Sequence, residues 1–304
     1  MKPRPFRYSR PESVAAALAL LDPEAKVLAG GQSLVPLLSM RLAAPEHLVD
    51  INRLNELSYV EAVGSTVAGS TVAGGTVAGG TVRVGALARH AEVLASPAAA
   101  AAQPLLRKAL RCVAHPAIRN RGTTVGSIVH ADPAGEMPAV LALLGGTVRV
   151  ASTAGERSIP ASEFFLGPLE SAVLPGELAI EAQFPMLPAG AGTGFAEISR
   201  RRGDYAVCGV AALAWLADDG RVGGATAAFL SMGPVPVVLD LTEAVAGTAA
   251  DATALPGAAG LARDRLHPEP DIHATAGYRR QLAGVLTERA LLEALADARE
   301  AMTA

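Results

Sequence analysis

Residues 26–38 read KVLAGGQSLVPLL, and the reading of this stretch decides the fold. A short apolar run breaks at Gly30-Gly31, shows two polar side chains, Gln32 and Ser33, and turns apolar again from Leu34. KVLAG has the pattern of a short buried strand. LVPLLSMRL carries Pro36 near its start, where the first turn of a helix accepts it. Upstream, PESVAAALALL (11–21) joins a helix-start signal to apolar helix formers. Downstream, HLVDINRL (47–54) reads as a second strand bearing Asp50. The order helix, strand, turn-helix, strand predicts a small α/β unit with its two strands parallel.

A glycine pair at the end of a strand lets the backbone approach a ligand with no Cβ in the way. Consecutive N–H groups there form a nest suited to phosphate. Each N–H bond to an ionised oxygen contributes about 1.5–3 kcal/mol. Gln32 and Ser33 offer further donors. The motif is neither the GxGxxG fingerprint nor a Walker loop with its lysine. A second Gly, Thr and Ser cluster, RGTTVGS (121–127), lies far downstream. Two such nests can clamp both phosphates of a dinucleotide.

The rest of the chain narrows the possibilities. Its 304 residues favour two domains, and 50% hydrophobic with 4% aromatic content means cores of small side chains. A net charge of −3 gives no reason to expect nucleic acid. Two cysteines, Cys112 and Cys208, cannot ligate an ordinary iron–sulfur cluster and read as small buried residues. The N-terminus has no apolar signal region, and the longest apolar run, VCGVAALAWLA from 207, is too short to span a bilayer. The expectation is a soluble, cytoplasmic protein.

Residues 65–84, STVAGSTVAGGTVAGGTVRV, repeat with period five. That period sends successive valines to opposite faces of a strand, so it reads as an elongated hairpin or loose loop between two flanking strands. SPAAAAAQPLLRKALRCVA is helical, and HPAIRNRGTTVGSIVHADPAGE (115–136) reads as a long polar connection. MPAVLALLGGTVRVAS predicts a helix, a glycine stop and a strand. ELAIEAQFP is a further strand and MLPAGAGTG (186–194) the best linker. A hairpin of two apolar strands and two helices follow, with a domain boundary near 180–195. No HExxH, CxxC or GxSxG occurs. His115 and His130 lack metal-ligand spacing and read as loop or core hydrogen-bonders. Asp132 and Glu136 read as acceptors in a polar loop. No catalytic or metal-binding residue is assigned.

At AGGQSLVPLLSMRLAAPEHLVDINRL and IRNRGTTVGSIVHADPAGEMPAV the sequence resembles the FAD-binding medium subunits of molybdenum hydroxylases. That group includes xanthine dehydrogenase-type enzymes and aerobic carbon monoxide dehydrogenase. The likeness continues through GELAIEAQFP, ISRRRGDYAVCGVAALA and GYRRQLAGVLTERAL, in order along nearly the whole chain. It implies an α+β fold: a two-lobed FAD-binding domain of the vanillyl-alcohol oxidase-like type over 1–180, with lobes 1–57 and 58–180. A C-terminal domain of small antiparallel sheet and helices would occupy 190–304. It further implies that Leu28, Ala29, Gly30, Gly31, Gln32, Ser33 and Leu34 hold the FAD pyrophosphate, with Thr123, Thr124, Val125, Gly126 and Ser127 as a second cradle. Glu136 takes the place of a usual Asp near the cofactor, and Ala179 falls near the adenine end.

Two residues depart from the family pattern. Val125 replaces a glycine, with strain expected if its φ is positive. Glu197 replaces a lysine near the flavin, where it disfavours an anionic reduced ring. No linking His stands in AGGQS, so FAD should be non-covalent. The 2Fe–2S clusters and molybdenum cofactor would reside in small and large partner subunits, in a dimer of heterotrimers, with this chain passing electrons to an external acceptor. The alternatives are a self-sufficient flavin oxidoreductase and the medium subunit of a carbon monoxide dehydrogenase. A third reading is a scaffold that has lost FAD.

Overall fold

The computed structural model describes residues 2–64, 71–72, 75–76 and 79–303. The decisive stretch folds as its pattern predicts. Strand Ala25–Leu28 leads through the glycine turn into helix Leu34–Met40, and strand His47–Asp50 follows. The two strands are parallel, with Val27 opposite Val49 and Leu28 opposite Asp50. A third parallel strand, Arg7–Ser9, pairs on the other side of His47–Asp50. The central strand is buried at all four residues. It ends at Asp50 rather than 54, because Asp50 Oδ1 accepts from the N–H of Asn52 and turns the chain.

The second lobe is a five-stranded antiparallel sheet, in the order Val60–Gly64, Gly80–Gly85, Leu178–Pro185, Thr147–Ser152, Gly155–Pro160. The first two strands are the predicted flanks of the five-residue repeat, paired from Val60↔Val84 to Gly64↔Gly80. Most of the repeat between them lies outside the described residues. On this sheet Glu181 is fully buried, yet it is surrounded by donors. Tyr59 Oη (2.6 Å), Arg83 Nε (2.7 Å), Gln183 Nε2 (2.6 Å) and Arg149 Nη1 (3.2 Å) all donate to its carboxylate. Burial opposes its charge, but these partners outweigh burial and hold the carboxyl below its usual range.

One expectation fails locally. The polar connection 115–136 contains two helices, Pro116–Arg119 and Thr124–His130. Pro116 occupies the first turn of one, and Thr123 Oγ1 caps the other by accepting from Gly126 N. Thr, Val and Gly are poor helix formers, which hid the second helix. The segment 96–114 is helical as expected, but as two helices, Pro97–Ala102 and Pro104–Leu110, broken where Pro104 disfavours helical backbone at Gln103. Helix Glu136–Leu143, its glycine stop at Gly145 (φ +60) and the strand from Thr147 are as expected.

The C-terminal part is a four-stranded antiparallel sheet, Ala191–Ser199, Ala206–Leu216, Val222–Leu230 and Val237–Asp240, backed by helices Leu255–Arg265 and Ala276–Thr303. Strand Ala191–Ser199 begins inside the stretch expected as linker. Strand Ala206–Leu216 is apolar throughout because both faces are buried. Ala211 and Leu213 join the core of the N-terminal part, while Cys208, Val210, Ala212 and Ala214 join a second core under the helices. Gly192 and Gly194 bring the strand backbone against helix Ala276–Thr303; a Cβ on either would overlap the carbonyl of Ala294 or Ala290. Lys108 Nζ binds Asp297 (2.8 Å), Glu293 (2.8 Å) and the Thr193 carbonyl (2.7 Å), tying helix Pro104–Leu110 to this layer. Both cysteines are free thiols, and burial pushes each up to about 12.

Candidate cofactor-binding site

A cleft of 530 Å³ runs between the two glycine motifs, within the range of small-molecule and cofactor sites. Of the residues expected at the cofactor, Ala29, Gly30, Gly31, Gln32, Ser33, Leu34, Thr123, Val125, Gly126, Ser127, Glu136 and Ala179 line it. Leu28, Thr124 and Glu197 do not line it. Leu28 packs beneath Gly31, and Thr124 is fully buried with its Oγ1 3.2 Å from His90 Nδ1.

The two motifs are not equivalent. In the first, the N–H groups of Gly30, Gly31, Gln32 and Ser33 find no acceptor among the described residues. Gly31 holds φ +74, a conformation glycine adopts without strain. The result is a row of free donors facing the cleft. In the second, Thr124 N donates to Ala88 O and Gly126 N to Thr123 Oγ1, leaving the Val125 N–H free. The second motif therefore contributes hydroxyls, from Thr123 and Ser127, more than a nest. Gln32 turns its side-chain amide onto the Gly30 carbonyl (3.2 Å), steadying the turn itself.

Glycine at position 30 is required by a contact within the chain, besides the expected approach of a ligand. A Cβ there would overlap the Arg121 carbonyl and sit 2.7 Å from Gly122 Cα. Gly30 is bare so that the two motifs can touch. The strain expected at Val125 is absent. Val125 lies in a right-handed helix with its side chain buried, and it is not among the residues with positive φ.

One end of the cleft is acidic. Glu136 opens helix Glu136–Leu143, and burial, then Glu197 and Asp132, push its carboxyl up to about 8. Burial alone pushes Glu197 up to about 7, and its Oε2 is enclosed without a hydrogen bond among the described residues. Glu197 is thus partly protonated near neutral pH, and the full negative charge expected there develops only above it. Tyr205, 70% exposed, stands at the same end, and Gly203 (φ +86) packs on the His115 ring. The free Oε2 of Glu197 contrasts with Asp132, whose Oδ1 accepts from Ala134 N. His115 caps helix Pro116–Arg119, and His130 closes helix Thr124–His130, where burial lowers its pKa.

Sequence reading missed Asn52, Arg89, His90 and Tyr205. His90 is buried, held neutral by burial and by Arg119, with its pKa lowered to about 4, and its ring both lines the cleft and supports Thr124. The signal was present: Arg89 and His90 are polar residues closing an apolar strand segment, VRVGALARH. Among the described residues, no group of three His, Cys, Asp or Glu could hold a metal ion. No described helix is long and apolar enough to cross a membrane.

A glycine turn with four N–H groups free among the described residues, opposite a hydroxyl-bearing helix start across a cleft, is suited chemically to an anion such as a phosphate. Residues 4–187 match the FAD binding domain in molybdopterin dehydrogenase, and residues 193–294 match the CO dehydrogenase flavoprotein C-terminal domain. The chain belongs to this family of FAD-binding flavoprotein subunits. It is 39% identical to the 6-hydroxypseudooxynicotine dehydrogenase complex subunit alpha of Paenarthrobacter nicotinovorans, over 98% of this chain and 97% of that one. It is 34% identical to the glyceraldehyde dehydrogenase medium chain of Sulfolobus acidocaldarius, over 96% and 99%. Among solved structures, quinoline 2-oxidoreductase from Pseudomonas putida 86 superposes with a TM-score of 0.86 at 36% identity, covering 99% of this chain and 100% of that chain.

Proposed function

We propose that this chain is the electron-transferring FAD subunit of a molybdenum-containing hydroxylase. The observation that carries the reading is the row of unpartnered N–H groups at Gly30–Ser33, opposite Thr123 and Ser127. It offers a pyrophosphate several donors at once, none of them satisfied by an acceptor among the described residues. Bound FAD supplies the redox chemistry; the chain binds it, orients it and sets the charge around it. Gly30 to Ser33, with Leu34 beside them, hold the phosphates, Thr123 and Ser127 close on them, Ala179 lies toward the adenine, and Glu136 lies at the ring end with Glu197 near it, off the cleft wall. Attachment is non-covalent. The 2Fe–2S clusters and the molybdenum cofactor belong to small and large partner subunits, in a dimer of heterotrimers in the cytoplasm. Relatives at similar identity, 39% to 32%, are named for 6-hydroxypseudooxynicotine and for carbon monoxide. The substrate is therefore chosen by a partner subunit, not by this chain.

The purified chain should hold FAD, and acid precipitation should leave all of it in the supernatant. Gly30→Val should empty the site by forcing the two motifs apart. Flavin that stays with the denatured pellet, or a Gly30→Val protein that keeps its flavin, contradicts the assignment of the cradle. Co-expression with iron- and molybdenum-carrying subunits should yield a complex that oxidises an organic substrate, which the isolated chain does not.

A further inference from the structure

The two motifs that line the cleft come from different lobes, and backbone contacts alone do not bind them together. The second motif is laid on the segment 88–90 by its own main chain: Thr124 N donates to Ala88 O (3.2 Å) and His90 N to Gly122 O (3.0 Å). The first motif is the end of a strand in the three-stranded parallel sheet. What joins them is one side chain. Arg89 Nη1 donates to the Arg121 carbonyl (2.6 Å), and Nη2 to Asn52 Oδ1 (2.6 Å). Asn52 in turn donates through Nδ2 to the Ala29 carbonyl (2.8 Å), immediately before the glycine pair. Asp50 Oδ1 also accepts from Asn52 Nδ2 (2.6 Å) and orients the amide.

We propose that Arg89 and Asn52 form a strut that sets the spacing of the two motifs, so that both engage one pyrophosphate. This rests on the FAD reading above. The guanidinium suits the task because its rigid fork holds two acceptors from two lobes at a fixed separation. A lysine ammonium at the same place is a single point and cannot reproduce that geometry. The strut works with the bare position 30: Gly30 allows the loops to touch, and Arg89 holds them at that contact. Behind it lies a polar hollow of 470 Å³ lined by Arg10, Asp50, Asn52, Arg89, Asn120 and Arg121. Water can therefore replace the lost bonds when the side chain is shortened, so removing the strut leaves no charge sealed in a dry interior. The fold should survive its loss while the spacing does not. Arg89 is a positioning residue, acting on the cofactor through Ala29 and Arg121.

The test is a fluorescence titration of the apoprotein with FAD and with FMN, in Arg89→Met, Arg89→Lys, Asn52→Ala and the Arg89→Met/Asn52→Ala pair. FAD needs both motifs, whereas the single phosphate of FMN needs one. Each single variant should weaken FAD by about tenfold or more, the range of one lost hydrogen bond to a charged group. FMN should be affected much less, so the preference for FAD falls. Arg89→Lys should not rescue. The double variant should be no worse than the poorer single one, because both members act in one strut. The apo melting temperatures should stay close to the parent's. FAD affinity within twofold of the parent in Arg89→Met, losses that add, or equal losses for FAD and FMN would each overturn the strut. If Arg89→Met does not fold, Asn52→Ala decides by the same criteria. A parent chain that binds no FAD at all overturns the FAD reading, and the strut with it, and is distinct from a parent that binds FAD regardless of residue 89.

Discussion

Glu181 and Glu136 are the same residue in two opposite settings. Glu181 lies in the five-stranded sheet, fully buried, with a tyrosine, an amide and two guanidinium groups donating to it. Glu136 lies on the cleft, and the one donor that favours its charge is its own N–H. Burial acts on both. In the sheet it is answered by partners and the carboxyl stays ionised; in the cleft it is unanswered and the carboxyl holds its proton up to about pH 8. A protein of this size spends partners where it needs rigidity. An unanswered carboxylate, with a second one in Glu197 close by, marks the place where charge is left adjustable.

The largest effect should come from the answered one. Glu181→Gln leaves Arg83 and Arg149 without their shared anion and should cost about 3 kcal/mol of stability, read by urea unfolding at pH 7. A loss below 1 kcal/mol would erase the distinction between the two sites (on the order of a surface ion pair).

Glu136→Gln should move stability the other way. A carboxyl whose folded pKa is raised binds more protons in the native state than in the unfolded chain between the unfolded value and about 8, so stability falls as pH rises through that window. The glutamine removes this loss. The apoprotein should gain stability at pH 8 and nothing at pH 4. Glu181, with its folded pKa depressed, gives the opposite slope: its contribution is present above the unfolded carboxylate value and disappears as pH falls through the folded one. Unfolding curves from about pH 2 to 9 for both variants would show two slopes of opposite sign, Glu181's in the acid range and Glu136's above it, and a common sign would break the comparison.

Glu197→Gln should raise the reduction potential of bound FAD by tens of millivolts at pH 8, on the scale of one unit charge screened by a protein interior. At pH 6, where Glu197 already carries a proton, the change should be small. Equal shifts at both pH values would mean that Glu197 is ionised throughout, or acts by packing. Glu197→Lys should raise the potential further at both.

The smallest effect should come from the five-residue repeat. Val63 pairs with Thr81, and Gly64 with Gly80. Deleting 65–79 joins Gly64 to Gly80 and leaves a two-residue Gly-Gly turn, which suits a tight hairpin. That protein should keep its flavin and melt within a few degrees of the parent. Loss of flavin would place the repeat in contact with the cofactor domain; retained flavin with lost assembly would make it a docking element.

Periodicity made much of this readable. KVLAG, the glycine turn and the helix after it followed from local pattern, because each element there has its own punctuation. The helix Thr124–His130 did not, since its cap is a threonine amid residues of low helix propensity, and its stability comes from burial of Thr124, Val125 and Ile128. One contact that requires glycine at position 30 could not be read: the neighbour that excludes a Cβ is Arg121, 91 positions away in sequence, which no local pattern contains. Arg89 stood out only as a polar residue closing the segment VRVGALARH, and its pairing with Asn52 was invisible for the same reason. Hydrogen bonds between lobes are a property of the assembled fold. Glu136 and Glu197 were identified as cofactor residues by resemblance, but their protonation follows from burial, which sequence does not carry.

The glycine contact between strand Ala191–Ser199 and helix Ala276–Thr303 has a practical side. Gly192 and Gly194 seat one end of the strand directly on helix backbone, while Glu197 sits three residues further along the same strand. With no side chains between strand and helix at those two points, there is nothing compressible to absorb a displacement. A tag, fusion or surface anchor that bends the last turns of the helix therefore pushes on the strand that carries Glu197. Electrochemistry on immobilised protein should accordingly use an attachment point away from residues 290–303, so that the electrode reads the flavin in its native field.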